Sequence, residues 1–529
     1  MERTAGIQLS TRETSTVMRW DWRKAYWILP ALLAAAIVLR CNIFSGKKLI
    51  WTDELMSWYT VSGSFGTMLS ASADTINPAP PLYFILAWFW SHLSGGSPLT
   101  LRLFSAFATA SAVLVMFAVL RRVYGVLPAI LALTVMGADR YVLLHSEQAR
   151  FHTLFVAEIA LAILILQRLL ARPSPSFRLL ALNTVVHACM ILTSYISLFY
   201  SPALLGAALV VGLVQRRKPT RICLSIAASW LVLLPWIPIM LRQIEITGWI
   251  PVATPKILRN YFESYATVPF RWFALILIGS VAISTLMTFC FGARRRREGF
   301  RRGERSLVAI AVALLAVTFV IYAVSSRPGA TSLFHDRYIL GGVLGWTILL
   351  AHLAHRAFLI KHPLALRRVT MTLVAVQFIA AIIFLGSNVW RLVRQARRYP
   401  AESLPSDLAV QLPGDEPIVV EHIHEFLRLH YYSPRRTRYR FLIDPEVGRK
   451  EIGGRPLNDT LMTAVRRRFP AQFQEVMPST EFLDSASSFY VRHSPGLYWY
   501  VMRLESNPSF TIERIPDQDN LLHVHRAMP

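Results

Sequence analysis

AYWILPALLAAAIVLRCNIF (25–44) decides what kind of protein this is. A run of about 20 mainly apolar residues is the length that crosses the hydrocarbon core of a bilayer. No small-residue cleavage site follows it, so it reads as an uncleaved first helix and not as a secretory signal. Residues 1–24 before it are polar and basic, and residues 45–77 after it form a polar, aromatic-rich stretch. Further apolar runs of similar length lie near 80–95, 100–121, 126–145, 151–170, 179–196, 198–215, 222–242, 271–292, 306–325, 338–358 and 368–389. With the first, they make about twelve candidate spans.

Composition agrees with that reading. Of 529 residues, 54% are hydrophobic and 16% charged, against about 25% charged in a soluble domain. A soluble multidomain enzyme and a disordered chain are both excluded on that ground. The four cysteines (Cys41, Cys189, Cys223, Cys290) lie in apolar runs, at neither disulfide-framework nor metal-ligand spacings. The fold expected is an all-α polytopic membrane protein of 12 or 13 helices with a C-terminal α/β domain outside the membrane.

Net charge is +25, and residues 1–390 carry +23 of it. The basic side chains sit in short loops between spans: Arg216, Arg217, Lys218 and Arg221; Arg294–Arg297 with Arg301, Arg302 and Arg305; Arg356, Lys361, Arg367 and Arg368. That is the positive-inside pattern, which places these loops in the cytoplasm. Anionic headgroups account for the charge, so no nucleic-acid partner is expected. Segments 243–270 and 326–337 then face outside, as does the tail from 391. An inside N-terminus with an outside tail requires an odd number of crossings, and twelve is even. Arg121–Arg122 sharpens the conflict, because the pair looks cytoplasmic while a simple count puts it outside.

The chain divides into a cytoplasmic segment (1–24), a transmembrane unit (25–390, first outer loop 45–79) and a soluble outer domain (391–529). In the last, PIVVEHIHEFLRLHYY (417–432) reads as a buried strand followed by a helix. FLIDP (441–445), FQEV (473–476) and SSFYVR (487–492) read as strands, and PLNDTLMTAVRRRF (456–469) as a helix capped by Asn458 or Asp459. It has neither a phosphate-binding glycine loop nor a Cys/His metal pattern, so no chemistry is assigned to it.

Residues 1–390 hold only fourteen acids, and two are adjacent: Asp53 and Glu54 in WTDELMSWY (51–59). A solvated loop pair in which Asp53 caps a helix explains them without chemistry. The alternative is a short interfacial helix, with Trp51, Met56, Trp58 and Tyr59 turned down and Asp53 held at headgroup height. In NPAPPLYFILAWFW (77–90), Pro80 and Pro81 start a helix, while Asp74 and Asn77 just before it can face the same place as Asp53. HSEQARFHTL (145–154) and FHDRYIL (334–340) bring Arg150 and His152, and His335, Arg337 and Tyr338, to outer helix ends. An arginine there usually snorkels. Two arginines from distant helices can instead clamp a phosphate, with Glu147 and Asp336 as partners or local neutralisers.

WTDELMSWY, APPLYF (79–84), PLTLRLFSAFATASAVLVMFAVLRRVYG (98–125), SEQARFHTL (146–154) and FHDRYIL, in that order and spacing, resemble the GT-C glycosyltransferases. The branch is the bacterial one related to protein O-mannosyltransferases and the aminoarabinose transferase of lipid A. The resemblance covers roughly residues 25–340. It implies the GT-C fold and a multi-pass protein of the bacterial inner membrane. It implies Asp53 as catalytic base with Glu54 its usual neighbour, Arg102 as the arginine opening the third span, Arg150 as that of the S-x-E-A-R segment, and Arg337–Tyr338 as the late Arg-Tyr pair. Asp74, His152 and His335 join the expected substrate-binding set. Two departures stand out: Asn77 and Ala79 where relatives often carry an acid and a histidine, and His152 where they often carry tyrosine. No cofactor is certain, room remains for a divalent metal, and no metal ligands are assignable.

The implied partners are the bilayer, a sugar on a polyprenyl phosphate, and an acceptor glycan, lipid or protein. The acceptor hydroxyl attacks the anomeric carbon in line, inverting it, and one base takes its proton. Phosphate is a good leaving group, so no second carboxylate is required as it is in glycoside hydrolysis. The rival reading is a transporter or lipid flippase, for which Glu158 and His187 inside spans and Pro235 and Pro238 in another are the features. A non-catalytic scaffold using the tail for binding is a third.

Overall fold

In a computed structural model of the chain the structure describes residues 26–45, 48–244, 250–265, 276–283, 302–327, 332–359, 364–398, 412, 414–448, 457–493, 499–515 and 520–527. The element order begins with α1 (Ile28–Ser45), α2 (Thr52–Ser62), α3 (Phe65–Ser72), α4 (Leu82–Ser94), α5 (Pro98–Tyr124), α6 (Val126–Ala138), α7 (Arg140–Ser146), α8 (His152–Ala171), α9 (Phe177–Thr193) and α10 (Ser197–Val214). It continues with the broken helix α11 (Thr220–Ile244), then α12 (Pro255–Tyr265), α13 (Arg302–Ser325), the single turn α14 (Asp336–Ile339), α15 (Gly342–Leu359) and α16 (Leu364–Arg398).

Seven described helices (α5, α8, α10, α11, α13, α15, α16) are long and apolar enough to cross a membrane. The pair α6–α7, bent by 64°, passes the same test when taken together, as a broken span or a re-entrant loop, and α1 and α9 are shorter apolar helices. The chain is an integral multi-pass membrane protein. Asp139 causes the bend: its carboxylate accepts from the Tyr141 and Val142 N–H groups at 2.9 and 3.0 Å, capping α7 as a new helix. The packed centre of the bundle is apolar, while Leu29, Leu32, Leu39 and Leu213 point outward, as lipid-facing side chains do.

Packing at the helix ends removes one of the twelve expected crossings. Arg121 lies over the Tyr26 and Trp27 rings at 4.7 and 4.8 Å, so the end of α5 sits beside the start of α1. Glu304 at the start of α13 meets His352 and Arg356 at the end of α15, at 3.1 and 3.0 Å. Tyr124 at the end of α5 packs against the His352 and His355 rings, 5.8 and 5.5 Å between centres, so these ends form one basic face, and Arg121 belongs to it. Since α1 finishes and α5 begins at the opposite face, the expected span 80–95 is no crossing. Its helix, α4, has 13 residues, about 20 Å long against a core of about 30 Å. It lies along that opposite face, with Trp88 Nε1 donating to the Gly63 carbonyl (2.9 Å), Trp90 Nε1 to that of Thr100 (2.7 Å), and Phe89 and Leu93 exposed. The expected span 271–292 falls mostly outside the described residues, as do residues 1–24 and the basic run 294–301.

The tail is a six-stranded sheet in the order β3-β2-β1-β4-β6-β5. β1 (Ile418–Val420), β2 (Tyr439–Ile443), β3 (Val476–Pro478) and β4 (Ser488–Arg492) are parallel neighbours, and β5 (Phe510–Arg514) and β6 (Leu521–Arg526) add an antiparallel edge. β1, β2 and β4 were legible as strands; of FQEV (473–476) only Val476, the first residue of β3, is strand, with Gln474 and Glu475 in a turn before it, and the antiparallel pair was not legible, because its residues alternate with charge and histidine. The expected helices are present as α17 (Ile423–Tyr432) and α18 (Leu457–Arg468), though Asn458 and Asp459 fall inside the first turn of α18 and do not precede it. The tail and the first outer loop share one core: Ile50, Leu55, Met56, Tyr59 and Ile76 pack with Ile418, Phe426, Leu427 and Phe473. Met56 and Tyr59 therefore face the tail, where their apolar area is buried by protein, and not the membrane as expected.

Candidate active site

Glu54 fixes the position of α2. Its carboxylate accepts from Arg102 Nε at 2.8 Å and Nη2 at 2.7 Å, from the Ala149 N–H at 2.8 Å and from the Trp51 N–H at 3.0 Å. Arg102 also donates to the Lys48 and Leu49 carbonyls, at 3.1 and 3.3 Å. Both side chains are 3% exposed. A buried bidentate pair holds geometry firmly, and breaking it leaves a bare charge that costs about 3–5 kcal/mol. One carboxylate thus locks together the starts of α2 and α5 and the 146–151 turn.

Arg150 makes the second clamp. Its Nη1 donates to the Asp53 carbonyl (3.0 Å), Ser57 Oγ (3.2 Å) and Asn77 Oδ1 (2.7 Å). Asn77 in turn donates to Thr60 Oγ1 and the Met56 carbonyl. Asn77, where relatives often carry an acid, here bridges Arg150 to α2. The helix begins at Thr52 with Trp51 before it, so Asp53 does not cap it and its carboxylate is turned elsewhere.

That carboxylate faces Arg337. Arg337 Nη1 donates to Asp53 Oδ2 at 2.8 Å, and Arg150 Nη2 stands 3.9 Å from the same oxygen. Asp53 keeps 35% of its side-chain surface open. Burial works against its ionisation, but the charges of Arg150 and Arg337 and the Arg337 hydrogen bond outweigh it, holding the carboxyl below the ordinary aspartate range. Residues 334–340 present Arg337 through their own lock. Asp336 accepts from the Arg337 N–H at 2.7 Å, is paired with His335, and lies 3.7 Å from His145 Nε2. Burial would raise Asp336, yet the two histidines hold it far below the carboxylate range. The Arg337 guanidinium lies 5.3 Å from the Tyr338 ring centre, and His152 fills the gap between His145 and Tyr338, with ring centres at 5.3 and 6.3 Å. Arg150 Nε and His152 Nε2 are buried with no hydrogen-bond partner among the described residues.

Asp53, Glu54, Arg102, Arg150, His152, His335, Arg337 and Tyr338 therefore converge. Asp74 does not join them: its carboxylate accepts from Arg467 (2.7 Å) and Arg468 (2.6 Å) of α18 and ties the tail to the outer loop. Glu158 accepts from Thr193 Oγ1 at 2.8 Å inside the bundle, and its second oxygen is buried with no hydrogen-bond partner among the described residues. Sequence reasoning missed His424. The carboxyl end of β1 lies at the switch point between β2 and β4, where α/β sheets open their binding crevice. Here it delivers His424 onto Thr52 and against the Trp51 ring, 4.8 Å between centres. Burial, then its neighbour His422, push His424 down to about 4 despite the opposing charge of Asp53. The His-x-His of EHIHE (421–425) was the available signal.

A divalent ion does not fit at Asp53. Two guanidinium groups bracket this carboxylate, Glu54 is saturated by four donors, and Asp74 is engaged by the tail. Hard cations want clustered oxygen donors, and the donors here are cationic.

No family profile and no curated protein matches the sequence. Solved structures do. ArnT from Cupriavidus metallidurans bound to undecaprenyl phosphate aligns over 95% of this chain and 98% of its own, at 14% identity and a TM-score of 0.53. Its apo state gives 0.54 over the same shares. The oligosaccharyltransferase AglB from Archaeoglobus fulgidus, in complex with an inhibitory peptide and a dolichol-phosphate, aligns over 96% of this chain and 75% of its own, at 10% identity and 0.53. The chain has the GT-C fold. The likeness takes in the tail as well as the bundle, so the α/β domain is part of what this GT-C chain shares with ArnT. The expected resemblance, carried by five short motifs, corresponds to the whole architecture.

Proposed function

We propose that this GT-C protein is a glycosyltransferase of the bacterial inner membrane that moves a sugar from a polyprenyl phosphate to an acceptor hydroxyl on the outer face, with inversion. The observation that carries the reading is one partly open carboxylate, Asp53, bracketed by Arg150 and Arg337 at the outer face of the bundle. That is a base beside an anion site. The lipid phosphates carried by ArnT and AglB support a donor of the same class.

In the proposed reaction the acceptor oxygen bonds to the anomeric carbon as the bond from that carbon to the phosphate oxygen breaks. The bonding electrons leave on the polyprenyl phosphate, and the acceptor proton passes to Asp53. Arg337 stabilises the charge on the departing phosphate. The incoming phosphate competes with Asp53 for Arg337, so donor binding weakens the contact that suppresses Asp53 as a base. Arg150, committed to three framework acceptors on Nη1, stays in place; its Nε and His152 Nε2 offer partners to phosphate or sugar oxygens. His335 and Tyr338 line the same place. Glu54 and Arg102 position α2 and do not touch substrate. The tail, with His424 over Thr52, forms the acceptor side.

The test is transfer by purified protein from a panel of lipid-phosphate sugars, wild type against Asp53→Asn. The amide keeps the shape but accepts no proton, and loss of about 10²–10⁴-fold in turnover is expected for a missing base. Retained turnover would refute Asp53 as base. Wild-type protein inactive with every lipid-linked donor would refute the transferase reading itself.

A further inference from the structure

A second cluster of ligand-type side chains lies on the antiparallel edge of the tail sheet. His523 and His525 are two apart on β6 and so share a face. Glu513 of β5 is the direct cross-strand partner of His523. One ligand atom from each of Glu513, His523 and His525 lies within 4.8 Å of the others. His523 Nε2 is also 3.0 Å from Glu416 Oε2, just ahead of β1, and His525 Nε2 is 3.9 Å from Glu513 Oε2. Ligands of a tetrahedral zinc stand about 2.0–2.2 Å from the ion, so these separations need only small side-chain rotations to close on one.

The surroundings are also those of a metal site. The two imidazole rings have centres 3.9 Å apart, close enough for one nitrogen of each to reach a shared cation. Ser488 Oγ sits 3.1 Å from His525 Nδ1, which orients the ring and leaves Nε2 for the ion. Tyr490 stacks on His523 at 4.2 Å and 11°. His523 and His525 are 21% and 38% exposed at their side chains, giving an ion a way in from solvent.

We propose that Glu513, His523 and His525 form a divalent-metal site of the zinc type, separate from the Asp53 cleft, with Glu416 hydrogen-bonded to His523 beside it. Two imidazoles with a carboxylate favour zinc or copper over calcium or magnesium. The sheet register separates the two places. His523 stands level with Tyr490 and Ile418 at the amino end of β1, whereas the carboxyl end of β1 is what meets Thr52. A bound ion ties β5 to β6 and stiffens the part of the tail farthest along the sheet from β3.

The test uses the full-length protein in detergent, stripped with chelator, dialysed, and titrated with zinc chloride by calorimetry. Metal content after gel filtration gives the stoichiometry, and cobalt(II) replacement gives the visible spectrum of a tetrahedral site. One zinc per chain is expected in wild type and in Asp53→Asn. None is expected in the His523→Ala/His525→Ala double variant, and affinity about tenfold or more weaker in the exposed single variant Glu513→Gln. No saturable zinc in wild type would overturn the proposal. So would equal zinc in wild type and the double variant, or zinc lost in Asp53→Asn while the double variant retains it.

Discussion

Two arginine–carboxylate pairs sit side by side on α2, one residue apart, and they differ in exposure. Arg102–Glu54 is sealed, 3% open on both sides, with every carboxylate oxygen taken. Arg337–Asp53 is open, with 12% and 35% of the side chains reachable. The chemistry of the partners is the same; the access of a third party is not. A sealed pair holds a fold together, and an open one can exchange its partner for a substrate. The physical difference is that Arg102 comes from the neighbouring span α5 and is packed on all sides, whereas Arg337 comes from a single turn, α14, at the surface of the bundle.

Breaking each pair in turn sharpens that contrast. Asp53→Asn has the largest expected effect on turnover, about 10²–10⁴-fold, with a thermal unfolding midpoint close to wild type. Glu54→Ala reverses the pattern. It strands Arg102 in a dry site and is expected to destabilise by about 3–5 kcal/mol, read as a fall in the unfolding midpoint and in recovered, inserted protein. Should Glu54→Ala keep its stability and lose only turnover, the division between the pairs would be wrong.

Arg337→Lys comes next. Lysine keeps the charge but loses the planar fork, so donor affinity is expected to drop by about tenfold, one hydrogen bond to a charged group, with stability unchanged. An unaltered KM for the lipid-linked donor would count against Arg337 as the phosphate clamp. The smallest effect concerns pH and the tail. Folded His424 takes its proton only near pH 4, against 6.5 in an ordinary histidine. Between those values the unfolded chain binds more protons than the folded one, so stability falls as pH drops through that window. Limited proteolysis of the tail, slow at pH 7, is expected to quicken toward pH 5 in wild type, and this pH response is expected to shrink in His424→Gln.

Much of this was readable beforehand, and the failures have definite causes. The Asp53–Glu54 pair stands out because acids are scarce in the first 390 residues, but nothing local ranks one above the other. Their ranking depends on Arg102, 48 residues away, and Arg337, 284 away. Asp74 looked equivalent to Asn77 from its place before the prolines; the arginines of α18 claimed it instead. Segment 80–95 is as apolar as a span, and its place between the neighbouring ends of α1 and α5, with its tryptophan bonds to Gly63 and Thr100, shows that it stays on one face. His424 carried a signal, a His-x-His at a strand end, but a strand end becomes a site only when the sheet is docked.

The sequence by itself determined that this is a many-span membrane protein with basic loops on one side and a mixed α/β tail, because transfer of side chains from water to lipid depends on composition and run length alone. The tertiary structure decided which carboxylate keeps an open face, which arginine meets it and what the tail brings to it. Those depend on contacts between residues far apart in the chain, where a few ångströms and the exclusion of water separate a structural ion pair from a reactive one.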